Sequence, residues 1–175
     1  MLIMLIEQYG INNKMKPLKL LVLGSDSMAG HILIDYLALN SNYKIEGIEE
    51  NHFIEQVDNI LQVIKNYKPN VIINTIRMTV QACKENPVSA IAINSILPKK
   101  LERIFESTKV KVIHLSTDCV FSGTLGNYSE NDIPDGRSVY SMTKICGEII
   151  NDKDITIRTS YIGPNLINKR DELFD

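Results

Sequence analysis

Five short apolar runs recur along the chain, and each ends in glycine or in polar residues. Leu18-Lys19-Leu20-Leu21-Val22-Leu23 ends in Gly24, and Tyr43-Lys44-Ile45-Glu46-Gly47-Ile48 ends at Glu49 and Glu50. Residues 70–76, 110–115 and 154–160 complete the set. Apolar residues at consecutive positions in 18–23, 70–76 and 110–115 predict buried strands, as in a parallel sheet, and 43–48 and 154–160 read as two further strands. The intervening stretches carry helical spacing instead. Residues 31–39 form one such stretch. Residues 53–67 form another, apolar at 53, 54, 57, 60, 61 and 64 and stopped before Lys68-Pro69. Residues 87–108 predict a long helix interrupted at Pro98, and a further helix carries Tyr140 and Lys144. Strand and helix alternate without an internal repeat or a low-complexity linker. The expected fold is α/β: a doubly wound parallel sheet in three layers, with ligand at the carboxyl ends of the strands.

With 175 residues the chain predicts a single domain over residues 16–175, preceded by an extension over residues 1–15. That extension opens MLIMLIEQYG, an apolar run of six without a leading basic region, too short for a secretory signal. It is either an upstream extension of the reading frame or an additional packed helix. A formal charge of −2 gives no footprint for nucleic acid or an anionic membrane. No apolar run reaches the roughly eighteen residues that a membrane span requires. Cys83, Cys119 and Cys146 are odd in number and far apart, and His31, His52 and His114 form no close set. These spacings predict no metal site and free thiols in a reducing cytoplasm. His114, inside an apolar strand, reads as a satisfied structural residue.

The chemistry concentrates in residues 114–144, HLSTDCVFSGTLGNYSENDIPDGRSVYSMTK. Tyr140 and Lys144 stand at i and i+4, one above the other on a helix face. An ammonium beside a phenol favours the phenolate, which makes the pair a candidate for proton transfer. Thr117, at the end of the preceding strand, can donate to the same substrate oxygen. Ser116-Thr117-Asp118-Cys119-Val120-Phe121-Ser122-Gly123, then Tyr128-Ser129-Glu130 and Pro134, then Tyr140 to Lys144 and Gly147-Glu148 occur in order. Together they resemble the extended short-chain dehydrogenase/reductases, and within them the dTDP-4-dehydrorhamnose reductase branch. The resemblance extends over about residues 18–164.

It implies a Rossmann-like NAD(P)-binding domain and an NAD(P)H-dependent reductase of a 4-keto-6-deoxy nucleotide sugar, serving surface polysaccharide synthesis in the cytoplasm. Tyr140 would supply the proton and Thr117 would orient the carbonyl. Lys144 would tune Tyr140 and hold the nicotinamide ribose, and Asn94 would join the relay to the lysine. Gly24, Ser27, Met28 and Gly30 form a glycine-rich strand-to-helix turn of the kind that presents backbone N–H groups to a pyrophosphate. Asn74, Thr75 and Ser116, at strand ends, would face the dinucleotide. Asp118, Val120, Phe121 and Arg158 would line the substrate cleft. Glu49 and Glu50 lie nineteen and twenty residues beyond Gly30, where an acid binds ribose hydroxyls and disfavours the extra phosphate of NADP. NADH is therefore slightly favoured.

The departures are Ser27 for the middle glycine, Asp26 beside it, Arg77 and Met78 after the third strand, and Ser141 after the tyrosine. Family members continue into a C-terminal substrate lobe. The chain alone is accordingly expected to bind cofactor weakly, to turn over little, and to self-associate or take a complementing partner chain. Two other functions suit the same residues: a nucleotide-sugar epimerase, and a non-catalytic nucleotide-binding subunit like the regulatory subunit of methionine adenosyltransferase.

Overall fold

The computed structural model describes residues 17–50 and 57–160. The expectation for residues 1–15 lies outside them, as does the start of the helix expected at 53. Five strands, β1 (Leu18–Leu23), β2 (Tyr43–Ile48), β3 (Val71–Asn74), β4 (Lys111–Leu115) and β5 (Ile155–Ile157), form one sheet in the order β2-β1-β3-β4-β5. Every pairing is parallel.

The helices are α1 (Met28–Ala38), α2 (Val57–Tyr67), α3 (Val80–Glu85), α4 (Pro87–Ala90), α5 (Leu97–Phe105) and α6 (Val139–Gly147). A π-helical segment, Ile91–Ile96, joins α4 to α5. Alternate residues of the strands feed two cores, as a pleated strand requires. Leu21, Leu23, Ile72 and Val112 pack with Ile64, Leu97, Leu101 and Phe105 on one face. Leu20, Val22, Val71, Ile73 and Ile113 pack with Leu37 on the other. These are the helix–sheet–helix layers of the expected doubly wound fold.

Differences from the sequence pattern have local causes. α1 starts at Met28 rather than 31, because the Ser27 side chain caps it by accepting the Gly30 N–H. β3 and β5 are shorter than expected, although Asn70 and Thr75 beside β3 still exchange backbone hydrogen bonds with the neighbouring strands. Pro98 does not interrupt the helix. It lies in the first turn of α5, directly after the wider π-helical turn, where a missing N–H is tolerated. The short α3 was not expected, although Thr79 caps it with the signature of a helix start.

The strand order reverses at β1. The links through α1 and α2 lead to neighbours on opposite sides, so a crevice opens between the carboxyl ends of β1 and β3.

Candidate active site

The β1–α1 turn forms one wall of this crevice. Gly24 has φ +85, a backbone conformation that side chains disfavour, and a Cβ there would stand 2.7 Å from the Thr75 hydroxyl. A Cβ on Gly30 would overlap the Gly24 carbonyl oxygen, so only glycine lets α1 start this close to β1. Ser27 turns its hydroxyl inward. It donates to Gly24 O at 2.7 Å, accepts Gly30 N–H at 3.0 Å and lies 3.0 Å from Thr75 Oγ1. The Met28 side chain is buried. First-turn N–H groups have no intrahelical acceptor, and the cap satisfies that of Gly30, leaving those of Met28 and Ala29 for an anion. The turn therefore fits a pyrophosphate despite Ser27. Asp26 is directed to the end of β2, where its carboxylate accepts the Glu50 N–H at 2.7 Å. Of the two acids after β2, Glu49 is exposed and Glu50 is half-buried against this turn. Burial and the neighbouring Asp26 push the Glu50 carboxyl up to about 7, with Arg77 opposing.

Asn74 and Thr75, expected to face a dinucleotide, are both buried and turned into the protein. A buried polar group needs a partner, and the backbone supplies several. Thr75 Oγ1 donates toward Leu23 O at 2.8 Å and Gly24 O at 3.1 Å. Asn74 Oδ1 accepts the Ile76 N–H at 3.2 Å, and its nitrogen meets His114 Nδ1 at 3.1 Å. The β3–β4 register places Asn74 directly beside His114. Beyond His114 lies Lys144, whose Nζ is 3.4 Å from Nε2 and donates to Leu115 O at 2.7 Å. Lys144 is 1% exposed. Burial lowers its pKa from 10.5 to about 7, with Arg77 adding to the effect and Glu148 and Cys83 opposing it.

Ser138 caps α6 by accepting the Ser141 N–H at 2.9 Å, which starts the helix just before Tyr140. Tyr140 is 7% exposed and packs with Cys83 and Ala90. One helical turn later Lys144 occupies the same face, at the carboxyl end of β4. Asn94, in the π-helical segment, binds elements rather than the lysine. Its oxygen accepts the Met78 N–H at 2.9 Å, and its nitrogen donates to Thr143 Oγ1 at 3.1 Å and Cys83 Sγ at 3.4 Å. Ser95 adds a bond to Thr143 O at 2.7 Å. Asn94 thereby positions α6. Burial pushes the Cys83 thiol up, against the hydrogen bonds from Asn94 and Thr143.

The far wall is built around Glu148, buried just after α6. Its carboxylate accepts Ser116 Oγ at 2.8 Å and both Nε and Nη2 of Arg158, each at 2.8 Å. Arg158 also donates to Glu130 O at 3.2 Å and lies over the Phe121 ring, 5.1 Å from its centroid. Phe121 stacks on Tyr128 at 4.5 Å. Arg158 thus ties the 121–130 loop to Glu148. Val120 is buried beneath it. Thr117 caps the short turn Asp118–Val120 by accepting the Cys119 N–H, and α6 packs against that turn. Asp118 is exposed, and a hydrogen bond from Ser160 holds its carboxyl below the usual range, against some desolvation.

The RmlD substrate binding domain family matches residues 18–163. The chain belongs to this family. A dTDP-4-dehydrorhamnose reductase of Aggregatibacter actinomycetemcomitans is 31% identical over 150 residues, which are 82% of this chain and 51% of that protein. A solved dTDP-4-dehydrorhamnose reductase of Clostridium acetobutylicum superposes with a TM-score of 0.74 at 29% identity, over 82% of this chain and 53% of that one. One from Bacillus anthracis, solved in complex with NADP, gives 0.74 at 24% identity over 85% and 55%, a likeness of fold alone. The chain spans about half the length of these relatives. Its fold is that of the NAD(P)-dependent short-chain dehydrogenase/reductases, as the 116–148 segment implied.

Two of these arrangements had no signal in the residue spacing. Glu148 was part of a matched dipeptide, but nothing indicated that it would bind Arg158 and Ser116 at once. His114 read as structural, and only the β3–β4 register reveals that it stands between Asn74 and Lys144. Among the described residues no cluster of His, Cys, Asp or Glu is suited to hold a metal ion, and no helix is long and apolar enough to cross a membrane. An open depression lined by Glu102, Glu106, Asn151 and Lys153 precedes β4 and β5, at the end of the sheet away from Tyr140.

Proposed function

We propose that this chain provides the cofactor-binding half and the proton donor of an NAD(P)H-dependent reductase of a 4-keto-6-deoxy nucleotide sugar. The reading rests above all on one observation: Tyr140 and the buried Lys144 share one face of α6 at the carboxyl end of β4, the same end of the parallel sheet at which the Gly24–Gly30 turn follows β1. The N-terminus of α1 binds the pyrophosphate, and Glu50 lies where it can accept ribose hydroxyls. A carboxylate at that position repels a 2′-phosphate, so NADH is favoured slightly over NADPH. The bound dinucleotide supplies a hydride.

The chain's own residues supply the rest. Tyr140 donates the proton that converts the reduced carbonyl oxygen to a hydroxyl. Thr117 donates a hydrogen bond to that oxygen, and Lys144 orients the tyrosine and the ribose. Asn94 holds α6 at its distance from the π-helical segment. Phe121, Asp118 and Val120 shape the sugar side of the cleft, with Arg158 fixing Phe121. Positioned proton donation of this kind contributes on the order of a hundred- to ten-thousand-fold. Such a protein serves polysaccharide synthesis in the cytoplasm, as a homo-oligomer or with a partner chain.

The test is NADH and NADPH oxidation by the purified chain with a dTDP-linked 4-keto-6-deoxy sugar. Slow turnover that disappears in Tyr140→Phe while cofactor affinity is kept is the expected result. Cofactor binding without any turnover would replace the reductase by a binding subunit. Turnover unchanged in Tyr140→Phe would remove that residue from the mechanism.

A further inference from the structure

Asn74 and His114 lie behind Lys144, and the proton transfer just described does not use them. Both are fully buried and adjacent across the β3–β4 register. The Asn74 amide is oriented by its oxygen, which accepts the Ile76 N–H at 3.2 Å. Its nitrogen is therefore the atom facing His114 Nδ1 at 3.1 Å. An amide nitrogen only donates, so Nδ1 must accept. Burial holds the imidazole neutral. A neutral imidazole has one proton, which then belongs on Nε2. Nε2 in turn stands 3.4 Å from Lys144 Nζ.

An ammonium carries only N–H groups and cannot accept a hydrogen bond. A neutral amine has a lone pair for His114 and N–H groups for Leu115 O, at 2.7 Å. We propose that His114 is a positioning residue: fixed by Asn74 in the Nε2–H tautomer, it turns an N–H toward Lys144 Nζ and holds that lysine as an amine. Other groups act on the same nitrogen. Arg77, after β3, opposes its charge, whereas Glu148, after α6, and Cys83, on α3, favour it. Asn74 and His114 add a directional contact that selects the uncharged form. The inference deepens the proposed function, because Lys144 matters there as the partner of Tyr140. Its test needs no ligand and no turnover, so its failure would leave the reductase reading untouched.

The test is nuclear magnetic resonance of the unliganded chain. With 15N-labelled histidine, and with the His114 signals identified through His114→Gln, the ring-nitrogen shifts report which nitrogen carries the proton. With 13C-labelled lysine, identified through Lys144→Met, the pH titration of Lys144 is followed in the parent and in Asn74→Leu. The proton is expected on Nε2 of His114. Asn74→Leu is expected to let it move to Nδ1, to turn the Nε2 lone pair toward Lys144, and to raise the Lys144 midpoint by about one pH unit, roughly tenfold tighter proton binding. A residue that merely fills the core would not move this midpoint. A proton on Nδ1 in the parent would overturn the proposal, as would a Lys144 midpoint unchanged in Asn74→Leu. If Asn74→Leu does not fold, the parent spectrum decides alone.

Discussion

Replacing Lys144 with methionine should change how stability depends on pH more than it changes stability at any single pH. The lysine is 1% exposed, and burial with the nearby Arg77 charge brings its pKa from 10.5 to about 7. Between those values the unfolded chain holds a proton that the folded chain has released. The lysine's contribution to stability is therefore complete above pH 10.5 and is lost as pH falls through about 7. At about 1.4 kcal/mol per unit the whole span is about 5 kcal/mol, and the portion between pH 7 and pH 9 is about 2 kcal/mol. Methionine has similar length and cannot titrate. It leaves Leu115 O and the His114 N–H without their partner, at about 1–3 kcal/mol for each, but that cost is the same at both pH values. Urea unfolding of parent and variant at pH 7 and pH 9, followed by circular dichroism, isolates the difference. The parent should gain about 2 kcal/mol on the variant between the two. Stabilities that change in parallel to within about 0.5 kcal/mol would show that Lys144 does not lose its proton on folding.

Three further outcomes follow from the site. Gly30→Ala places a Cβ on the Gly24 carbonyl, so it should abolish dinucleotide binding in a fluorescence titration; retained affinity would disconnect this turn from the cofactor. Glu50→Gln should become more stable relative to the parent as pH rises from 4.5 to about 7, because the raised carboxyl pKa costs the folded state stability across that window. The measurement is thermal unfolding at pH 4 and pH 8, and a constant offset would contradict it. Arg158→Ala strands the buried Glu148 carboxylate with Ser116 as its remaining partner and should cost about 3–5 kcal/mol in urea unfolding. Adding Glu148→Gln should recover part of that loss, and no recovery would mean that the charge is not what matters.

The strands were legible wherever the chain is apolar without interruption. β1 and β2 have the limits that their hydrophobic runs predict, whereas β3 and β5 stop early at polar residues that bond across the chain. Tyr140 and Lys144 were legible because helical spacing alone puts them on one face. The Asn74 and Thr75 side chains were read toward a cofactor and point inward, since buried hydroxyl and amide groups take the nearest backbone partners. That preference depends on β1 lying alongside β3, which no local pattern encodes. Arg158 was read as a cleft residue, and its guanidinium is held by Glu148, ten positions back and on a different element. Side chains paired through the tertiary fold leave no periodic signal. The same limitation hid the contact between His114 and Lys144.

The central claim is that the Gly24–Gly30 turn and the Tyr140–Lys144 helix form one dinucleotide site. The most direct measurement is titration of NADH and of NADPH with the purified chain, following nicotinamide fluorescence in a protein that has no tryptophan to interfere. Saturable binding of both is expected, somewhat tighter for NADH, lost in Gly30→Ala and weakened in Lys144→Met. Absence of saturation with either nucleotide at millimolar concentration, or binding indifferent to both substitutions, would contradict it.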